Sequence, residues 1–241
     1  MTTLWYDAKV INILNHSDRI KSFFLKIESD QIISFTPGQF LTFDLPIGDK
    51  RLARWRSYSI ASIVSNDNEF ELCIVNMEGG TGSTYLFEEV TIGTVLKCKA
   101  PDGGFVLNQP LDHDVVMICT GTGVAPFRSM IASIFAQNII HKKVHLIFGT
   151  RFQADILYQA EFNELAVKFP EFTYDIVLSK EPDWQGISGH VHQVYLDKYA
   201  DSGPDIHFYL CGWSQMIDEA VENLLLKCRY DRSQISYELY G

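Results

Sequence analysis

A change of pattern near residue 105 constrains the fold of this chain more than any other feature of its sequence. Before it, short runs rich in Val, Ile, Leu and Phe are separated by turn formers, as expected for strands. The predicted strands are Ala8–Leu14, Lys21–Ile27, Gln39–Leu45, Ser57–Ser62, Glu69–Asn76 and Thr94–Lys99, with one short helix near Thr84–Glu89. Six strands of this kind predict a six-stranded antiparallel β-barrel.

After residue 105, apolar runs typical of buried strands alternate with helical stretches. The predicted elements are strand Asp114–Thr120, helix Ala125–Gln137, strand Lys143–Phe148, helix Ala154–Lys168, strand Phe172–Leu178, helix His190–Lys198, strand Ile206–Cys211, helix Gln215–Cys228 and strand Gln234–Leu239. This alternation predicts an α/β doubly wound parallel sheet. We therefore expect two domains, residues 1–104 and residues 112–241. If the second has the strand order 3-2-1-4-5, its first and fourth strands are neighbours.

The charge and the cysteines exclude several classes of function. Twenty Lys and Arg against thirty Asp and Glu give a net charge of −10, which disfavours general binding to nucleic acids or anionic membranes. The five cysteines lie far apart, whereas iron–sulfur clusters and zinc ribbons need closely spaced thiolates. We expect reduced thiols, no metal, and an organic cofactor for any electron transfer. The sequence shows neither a long apolar run nor a signal-peptide pattern, so we expect a cytoplasmic protein without membrane insertion.

A glycine turn follows the first predicted parallel strand. The sequence G-T-G-V-A-P at residues 121–126 stands between this strand and a helix. Glycines let the backbone approach a phosphate closely, and the helix N-terminus offers unpaired N–H groups. Pro126 suits the first helical turn because its missing N–H would have no partner. The pattern predicts a dinucleotide site, with a tight turn that binds no ligand as the alternative.

Two further positions bear on the nucleotide. Arg151 follows the second parallel strand, where an arginine accommodates a 2′-phosphate and a carboxylate would bind the ribose of NAD. No acid stands at this strand end, which favours NADPH. Cys211 and Gly212 end the fourth strand, where a thiol and a bare glycine leave a flat slot for a ring. The alternatives are a solvent-exposed arginine and a small buried cysteine.

The first half contains a second set of candidate phosphate-binding residues. Arg56 presents a rigid fork suited to a phosphate, and Tyr58, on the same face of the predicted strand, can cover an aromatic ring. Downstream, G-G-T-G-S-T at residues 79–84 runs into a short helix, a second phosphate cradle. One cradle in each domain predicts two phosphorylated cofactors side by side. A surface arginine and a glycine-rich hairpin are the alternatives.

Five motifs occur in a fixed order along the chain: R-S-Y-S at 56–59, G-G-T-G-S-T at 79–84, P-D-G-G-F at 101–105, G-T-G-V-A-P at 121–126 and C-G-W-S-Q-M-I at 211–217. This ordered set resembles the ferredoxin–NADP reductase family over nearly the whole chain. The resemblance implies a flavin-binding barrel, residues 1–104, followed by an NAD(P)-binding domain, residues 112–241. FAD is the implied cofactor, with FMN as the alternative, and NAD(P)H is the co-substrate.

The resemblance also implies roles for individual residues. The implied flavin-binding residues are Arg56 at the phosphate, Ser57, Tyr58 stacked on the isoalloxazine ring, Ser59 near its N5, Val75 through its backbone, and Gly82, Ser83 and Thr84 at the helix N-terminus. The implied nucleotide-binding residues are Thr120, Gly121, Gly123, Pro126, Arg151, Cys211, Gly212 and Met216. Tyr240 corresponds to the aromatic residue that covers the flavin in relatives, and Ser59, Cys211 and Glu238 are the candidate catalytic residues. His190 stands where some relatives have arginine, which weakens the preference for NADPH.

These features predict a flavin-dependent NAD(P)H oxidoreductase that transfers hydride to bound FAD and then electrons to a separate acceptor, such as a ferredoxin or an oxygenase component. A reductase of free flavin is one alternative. A non-catalytic flavoprotein subunit or redox sensor is another. Lys50, Arg51 and Arg54 precede the flavin strand and are candidates for a basic face that binds an acidic partner.

Overall fold

The computed structural model describes residues 4–200, 203 and 205–240. Its contacts divide the chain into two compact units. One consists of the chain up to Val106 together with Ala125–Ser133, and the other of Leu107–Val124 together with the chain from Ile134 onward. We call them the barrel unit and the parallel-sheet unit.

The barrel unit is built on six antiparallel strands. Its elements are β1 (Trp5–Ser17), β2 (Ile20–Ile27), β3 (Phe40–Asp44), α1 (Arg51–Arg54), β4 (Trp55–Ser59), β5 (Glu69–Val75), α2 (Thr81–Glu88) and β6 (Val95–Lys99). The strand order is β4-β3-β6-β1-β2-β5, and a bridge between Ile60 and Leu72 joins the two outer strands. Apolar side chains such as Phe23, Leu25 and Ile27 fill the interior, because alternate residues of a strand face the same side.

The parallel-sheet unit alternates strands and helices. Its elements are β7 (Asp114–Thr120), α3 (Val124–Ala136), β8 (Val144–Thr150), α4 (Gln159–Lys168), β9 (Phe172–Leu178), β10 (Ile187–Ser188), α5 (Val191–Tyr199), β11 (Ile206–Trp213), α6 (Ser214–Glu222) and β12 (Ile235–Tyr240). Helix α3 begins in this unit, but its residues Ala125–Ser133 belong to the barrel unit. The order is β10-β9-β8-β7-β11-β12. With the two-residue β10 set aside, this is the order 3-2-1-4-5, so β7 and β11 are neighbours as expected.

Four local differences from the predicted elements have physical causes. The chain folds into the short helix α1 before β4, a segment too short to show helical periodicity. Helix α2 begins at Thr81, so Gly82, the last glycine of the turn, lies within it. The predicted helix Ala154–Lys168 is split, because Tyr158 adopts the left-handed φ of 56° before α4 starts. The predicted helix Gln215–Cys228 is α-helical only to Glu222 and continues as a π-helix over Asn223–Lys227.

The predicted fold class, an antiparallel barrel followed by a doubly wound parallel sheet, is confirmed. All five cysteines are buried, and none of them forms a disulfide. None of the helices in the described part of the chain is long and apolar enough to cross a membrane.

Candidate functional site

In the barrel unit, Arg56 lies against the first turn of α2. Its Nη2 donates to Thr81 Oγ1 at 3.2 Å, and its Nη1 donates to the carbonyl of Trp55 at 2.8 Å. A Cβ added to Gly82 would lie 2.9 Å from Arg56 Cγ, so only glycine leaves room for the arginine stem. The first N–H groups of a helix have no intrahelical partner. A guanidinium and free N–H groups thus meet in one place, the chemistry a phosphate requires.

The Ser83 side chain points into its own turn. Its hydroxyl oxygen accepts from the backbone N–H of Met77 at 3.0 Å, and the hydroxyl lies 3.0 Å from the carbonyl of Gly80 as a donor. Ser83 is buried, and a Cβ on Gly80 would come within 2.8 Å of its Oγ. The hydroxyl therefore shapes the glycine turn, while Thr84, half-buried in α2, is the next residue along the helix.

Strand β4 presents the R-S-Y-S motif on its two faces. Tyr58 is half-buried and packs against Phe43 at a ring-centroid distance of 6.2 Å. Burial raises the pKa of Tyr58 to about 12, so its hydroxyl is neutral at physiological pH. Ser57 is exposed on the opposite face, with its hydroxyl 2.8 Å from that of Thr42. Ser59 ends the strand and is buried.

Val75 is the remaining predicted flavin-binding residue of the barrel unit. It is the last residue of β5, half-buried, and pairs in register with Ile20 of β2. The barrel unit therefore brings Arg56, Gly82 and Ser83 together around the first turn of α2. It places Tyr58 two residues along β4 from Arg56.

In the parallel-sheet unit, the glycine turn runs as a single 3-10 turn, Gly121–Gly123, directly into α3. Gly121 has a φ of 54° and open space around its Cα. Gly123 is different, since an added Cβ would lie 2.4 Å from the carbonyl oxygen of Cys211 and 2.8 Å from Gly212 Cα. The turn after β7 therefore touches the backbone at the end of β11, and any side chain at Gly123 would push the two apart.

Gly212 completes this backbone contact. Its φ is 138°, and an added Cβ would lie 2.4 Å from Thr120 Oγ1. The same hydroxyl oxygen accepts from the backbone N–H of Trp213 at 3.3 Å. The carboxyl ends of β7 and β11 are thus joined by Thr120, and the residues predicted to line a nucleotide slot lie at one point, the crevice where such sheets bind ligands.

Cys211 lies beneath this point, in register with Cys119 of β7 and Glu238 of β12. It is fully buried, and burial raises the pKa of its thiol well above the usual value. The thiol is therefore neutral, as expected of a small apolar neighbour and not of a nucleophile. Glu238 and Tyr240 are half-buried on β12, and Met216 is buried in the first turn of α6.

Three predicted residues lie elsewhere on the parallel-sheet unit or along α3. Arg151 follows β8 and is exposed, with no hydrogen bond or ion pair to its side chain from the described residues. His190 is exposed and precedes the first residue of α5. Pro126 is the third residue of α3 and belongs to the stretch that counts with the barrel unit.

Two family models match successive parts of the chain. The model of the oxidoreductase FAD-binding domain matches residues 7–107, and the model of the oxidoreductase NAD-binding domain matches residues 117–222. The chain belongs to the ferredoxin–NADP reductase family. As in other members, an FAD-binding domain precedes an NAD-binding domain, and the chain is a flavin-dependent NAD(P)H oxidoreductase.

Three similar proteins illustrate the range of the ferredoxin–NADP reductase family. Ferredoxin–NADP reductase B of Sorangium cellulosum is 29% identical, over 98% of this chain and 97% of its own length. The anthranilate 1,2-dioxygenase electron transfer component of Acinetobacter baylyi is 34% identical over 80% of this chain, and the match spans only 54% of that protein. A structure of a ferredoxin NADP+ reductase from Neisseria gonorrhoeae with bound FAD and NADP covers 98% of both chains at 22% identity, with a TM-score of 0.80.

Two residues at these positions in this ferredoxin–NADP reductase family member are not predicted from the sequence. Thr81 accepts a hydrogen bond from the Arg56 guanidinium, and Trp213, about half exposed, follows Gly212 at the end of β11. Thr81 was part of the quoted glycine motif, but its partner lies 25 residues away. Trp213 belongs to the C-G-W-S-Q-M-I motif, and an aromatic residue directly after a glycine at a strand end is the sequence feature that indicates it.

Proposed function

We propose that this chain takes hydride from NAD(P)H onto FAD held by residues 1–104 and passes the electrons to a separate acceptor protein. The nucleotide is bound by residues 112–241. One observation carries the proposal: a single chain combines the Arg56–α2 cradle in its barrel unit with the Gly121–Gly123 turn in its parallel sheet. Each is suited to a phosphorylated cofactor.

The barrel residues would hold FAD by its phosphate and its ring. Arg56 and the N–H groups of Thr81, Gly82 and Ser83 supply positive charge to a phosphate. The N–H of Thr84 already donates to the carbonyl of Gly80 at 3.0 Å, so Thr84 would contact the phosphate through its hydroxyl. Tyr58 offers a flat face to the isoalloxazine ring, with Ser57 and Val75 contributing backbone groups and Ser59 a hydroxyl. Bound FAD supplies the hydride-accepting ring and lets electrons leave one at a time.

The parallel-sheet residues would bind and orient the nucleotide. Thr120, Gly121, Gly123 and Pro126 border the turn where the backbone can approach a pyrophosphate. Cys211, Gly212 and Met216 leave a flat slot for the nicotinamide. Tyr240 would cover the flavin ring until the nicotinamide displaces it. We assign Glu238 to holding a proton near this slot. None of these residues acts as a nucleophile, since hydride transfer needs positioning and exclusion of water.

The choice of nucleotide rests on Arg151. Its guanidinium is exposed and unpaired among the described residues, so it is available to a 2′-phosphate. We propose that the preference for NADPH is modest, because exposed His190 stands where an arginine fork would bind a 2′-phosphate more firmly. Replacing Arg151 with Ala should raise the KM for NADPH about tenfold, equivalent to about 1.4 kcal/mol, and leave the KM for NADH nearly unchanged.

The relatives support a protein acceptor. One is named a ferredoxin–NADP reductase and another an electron transfer component of a dioxygenase. We propose a ferredoxin-type or oxygenase partner and, since none of the five cysteines forms a disulfide, a reducing cytoplasmic location. The second candidate is reduction of free flavin, which would use the same residues with flavin as a substrate in place of a retained cofactor.

The two candidates predict different behaviour on removal of unbound flavin. We expect protein loaded with FAD to remain yellow after desalting and to reduce a ferredoxin with NADPH without added flavin. FMN should be retained less well. A protein that loses its colour on desalting, and whose rate saturates with added flavin as a substrate would, is a reductase of free flavin instead.

A further inference from the structure

A buried network of charged and polar side chains joins helix α3 to the wall of the barrel. Arg128 of α3 donates from Nη1 to Glu71 Oε2 of β5 at 2.6 Å and to the backbone carbonyl of Ala61 at 2.9 Å. Ser22 of β2 donates to the other oxygen of Glu71 at 2.8 Å, and the Ser22 hydroxyl lies 2.8 Å from His16 Nε2 of β1. All five residues belong to the barrel unit, so three strands and the segment after β4 are tied to one helix.

The central ion pair of this network is enclosed by protein. The side chain of Arg128 is 15% exposed and that of Glu71 is 7% exposed. A buried ion pair adds little net stability compared with apolar residues of the same volume, because the loss of hydration offsets the attraction between the charges. Its directional hydrogen bonds can instead hold the elements that carry it in one arrangement.

The Arg128 guanidinium lies where the barrel closes. Strands β4 and β5 are the two outer strands of the sheet order, and the bridge between Ile60 and Leu72 joins them. Ala61 directly follows Ile60, and Glu71 directly precedes Leu72. Arg128 therefore binds one residue on each side of this bridge and fixes the separation of the two strands at the point where they meet.

Both of these strands carry residues of the proposed flavin site. Ser59 stands two residues before Ala61 at the end of β4, and Val75 stands four residues after Glu71 at the end of β5. Alternate residues of a strand face the same side, so Glu71 and Val75 share one face of β5. A change in the separation of the strands at the bridge would move the groups proposed to contact the flavin ring.

Helix α3 also carries a residue proposed to border the nucleotide. Pro126 stands two residues before Arg128, and both lie in the part of α3 that belongs to the barrel unit. The guanidinium thus ties the helix that bears Pro126 to the two strands that bear the proposed ring contacts. Hydride transfer depends steeply on the separation of donor and acceptor, and a misplacement of about 1 Å can lower a rate about a hundredfold.

We propose that Arg128 is a positioning residue for hydride transfer from the nucleotide to the flavin. It acts through Ala61 and Glu71, by holding the closing strands of the barrel against α3 in one arrangement. The guanidinium itself exchanges neither a proton nor an electron in this role. The inference rests on the proposed function for the places of the flavin and the nucleotide.

The test measures the rate of flavin reduction apart from binding. FAD-loaded protein is mixed anaerobically with NADPH in a stopped-flow instrument, and the absorbance of oxidised flavin is followed. For Arg128→Met we expect the limiting rate constant to fall about tenfold, while the Kd for FAD and for NADPH each change by less than about twofold. The deuterium isotope effect, measured with NADPH deuterated at the transferred hydrogen, should increase, because a longer transfer distance slows deuteride more than hydride.

Two further variants separate positioning from stability. Arg128→Lys should restore most of the rate, because a single nitrogen, Nη1, makes both bonds of the arginine and an ammonium can replace it. The matched control is Ile27→Ala, which opens a cavity in the barrel interior at the end of β2 away from the pair Ile20–Val75. It should destabilise the protein as Arg128→Met does but reduce flavin at the wild-type rate.

The positioning role is overturned if the Arg128→Met holoprotein reduces flavin at the wild-type rate with an unchanged isotope effect. It is also overturned if weaker binding of FAD or NADPH accounts for the slower rate, or if Ile27→Ala slows reduction equally. If Arg128→Met does not fold, Arg128→Gln replaces it with the same expectations. A wild type whose flavin is reduced by neither NADPH nor NADH contradicts the proposed function and the positioning role together, whereas normal reduction in every variant contradicts the positioning role alone.

Discussion

Both units have glycine-rich turns at helix starts, but different groups pack against the glycines in the two units. In the barrel unit, the space beside Gly82 is taken by the flexible stem of Arg56. In the parallel-sheet unit, the space beside Gly123 is taken by the backbone of Cys211 and Gly212. A side chain can move by rotating, whereas a buried strand end cannot. The same motif is thus tolerant in one unit and intolerant in the other.

The units also differ in how they bury charge. In the barrel unit, Arg128 of α3 forms an ion pair with Glu71 of β5 at 2.6 Å, and Ser22 donates to the same carboxylate at 2.8 Å. In the parallel-sheet unit, Asp175 of β9 lies 2.9 Å from His145 and 2.5 Å from Lys198, whose amine is largely exposed. The first network is closed off from water and the second reaches it, so we expect the first to be costlier to break.

The largest effect is expected for Gly123→Ala. Its Cβ would press on the Cys211 carbonyl at 2.4 Å, so we expect a loss of about 4 kcal/mol in the free energy of unfolding. Gly121→Ala is the matched control, with a left-handed φ of 54° but nothing within 4 Å, and it should cost about 1 kcal/mol. Urea denaturation of both variants measures the difference. Equal losses would show that the close approach of the Cys211 backbone to Gly123 adds nothing to the cost of the substitution.

The next largest effect is expected for Arg128→Met, which should lower the free energy of unfolding by about 3 kcal/mol. The substitution leaves the buried Glu71 carboxylate without the Arg128 guanidinium. The double variant Arg128→Met with Glu71→Gln removes the stranded charge and should recover part of the loss. Urea denaturation of the two single variants and the double variant gives the coupling energy. Strictly additive losses would mean that the ion pair contributes nothing.

A smaller effect, with a pH signature, is expected for Asp175→Asn. The hydrogen bond from His145, against the opposing effect of burial and with help from Lys198, lowers the pKa of Asp175 from 3.8 to about 2. A lowered pKa means that the stabilisation is present above about pH 4 and is lost as the pH falls towards 2. Because the network reaches solvent, we expect about 1 kcal/mol from this group.

The variant Asp175→Asn should therefore be less stable than the wild type at pH 6 and nearly equal to it near pH 2. Urea titrations across this range provide the measurement. A stability difference that does not shrink in acid would mean that packing, and not the carboxylate charge, accounts for the loss.

The smallest effect on stability, but not on the cofactor, is expected for Gly82→Ala. Alanine suits a helix better than glycine, which offsets the displacement of the Arg56 stem, so unfolding should change by less than about 1 kcal/mol. The displaced guanidinium should weaken FAD binding about tenfold, measured as flavin fluorescence on titration. Gly93→Ala, at a barrel glycine with open space and a φ of 95°, should cost stability but leave FAD binding unchanged, and so controls for a general effect of removing a glycine. Unchanged FAD binding would show that Arg56 does not bind the flavin phosphate.

Sequence patterns were sufficient for the parts of this molecule that depend on neighbours along the chain. The alternation after residue 105 predicted a doubly wound parallel sheet, and the glycine motifs predicted turns at two helix starts, because each pattern is encoded by neighbouring residues. The Arg128–Glu71 pair joins residues 57 positions apart, and the stacking of Lys99 on Trp55 depends on the pairing of β3 with β4 and β6. Neither can be read from local spacing, and only the fold brings their partners together.

The central claim is that the barrel unit holds a flavin that the nucleotide bound by the parallel-sheet unit reduces. Anaerobic titration of FAD-loaded protein with NADPH, and separately with NADH, tests it most directly. We predict that the visible absorbance of oxidised flavin disappears in proportion to the nucleotide added and returns on admission of air. Flavin that stays fully oxidised in the presence of either nucleotide would contradict the claim.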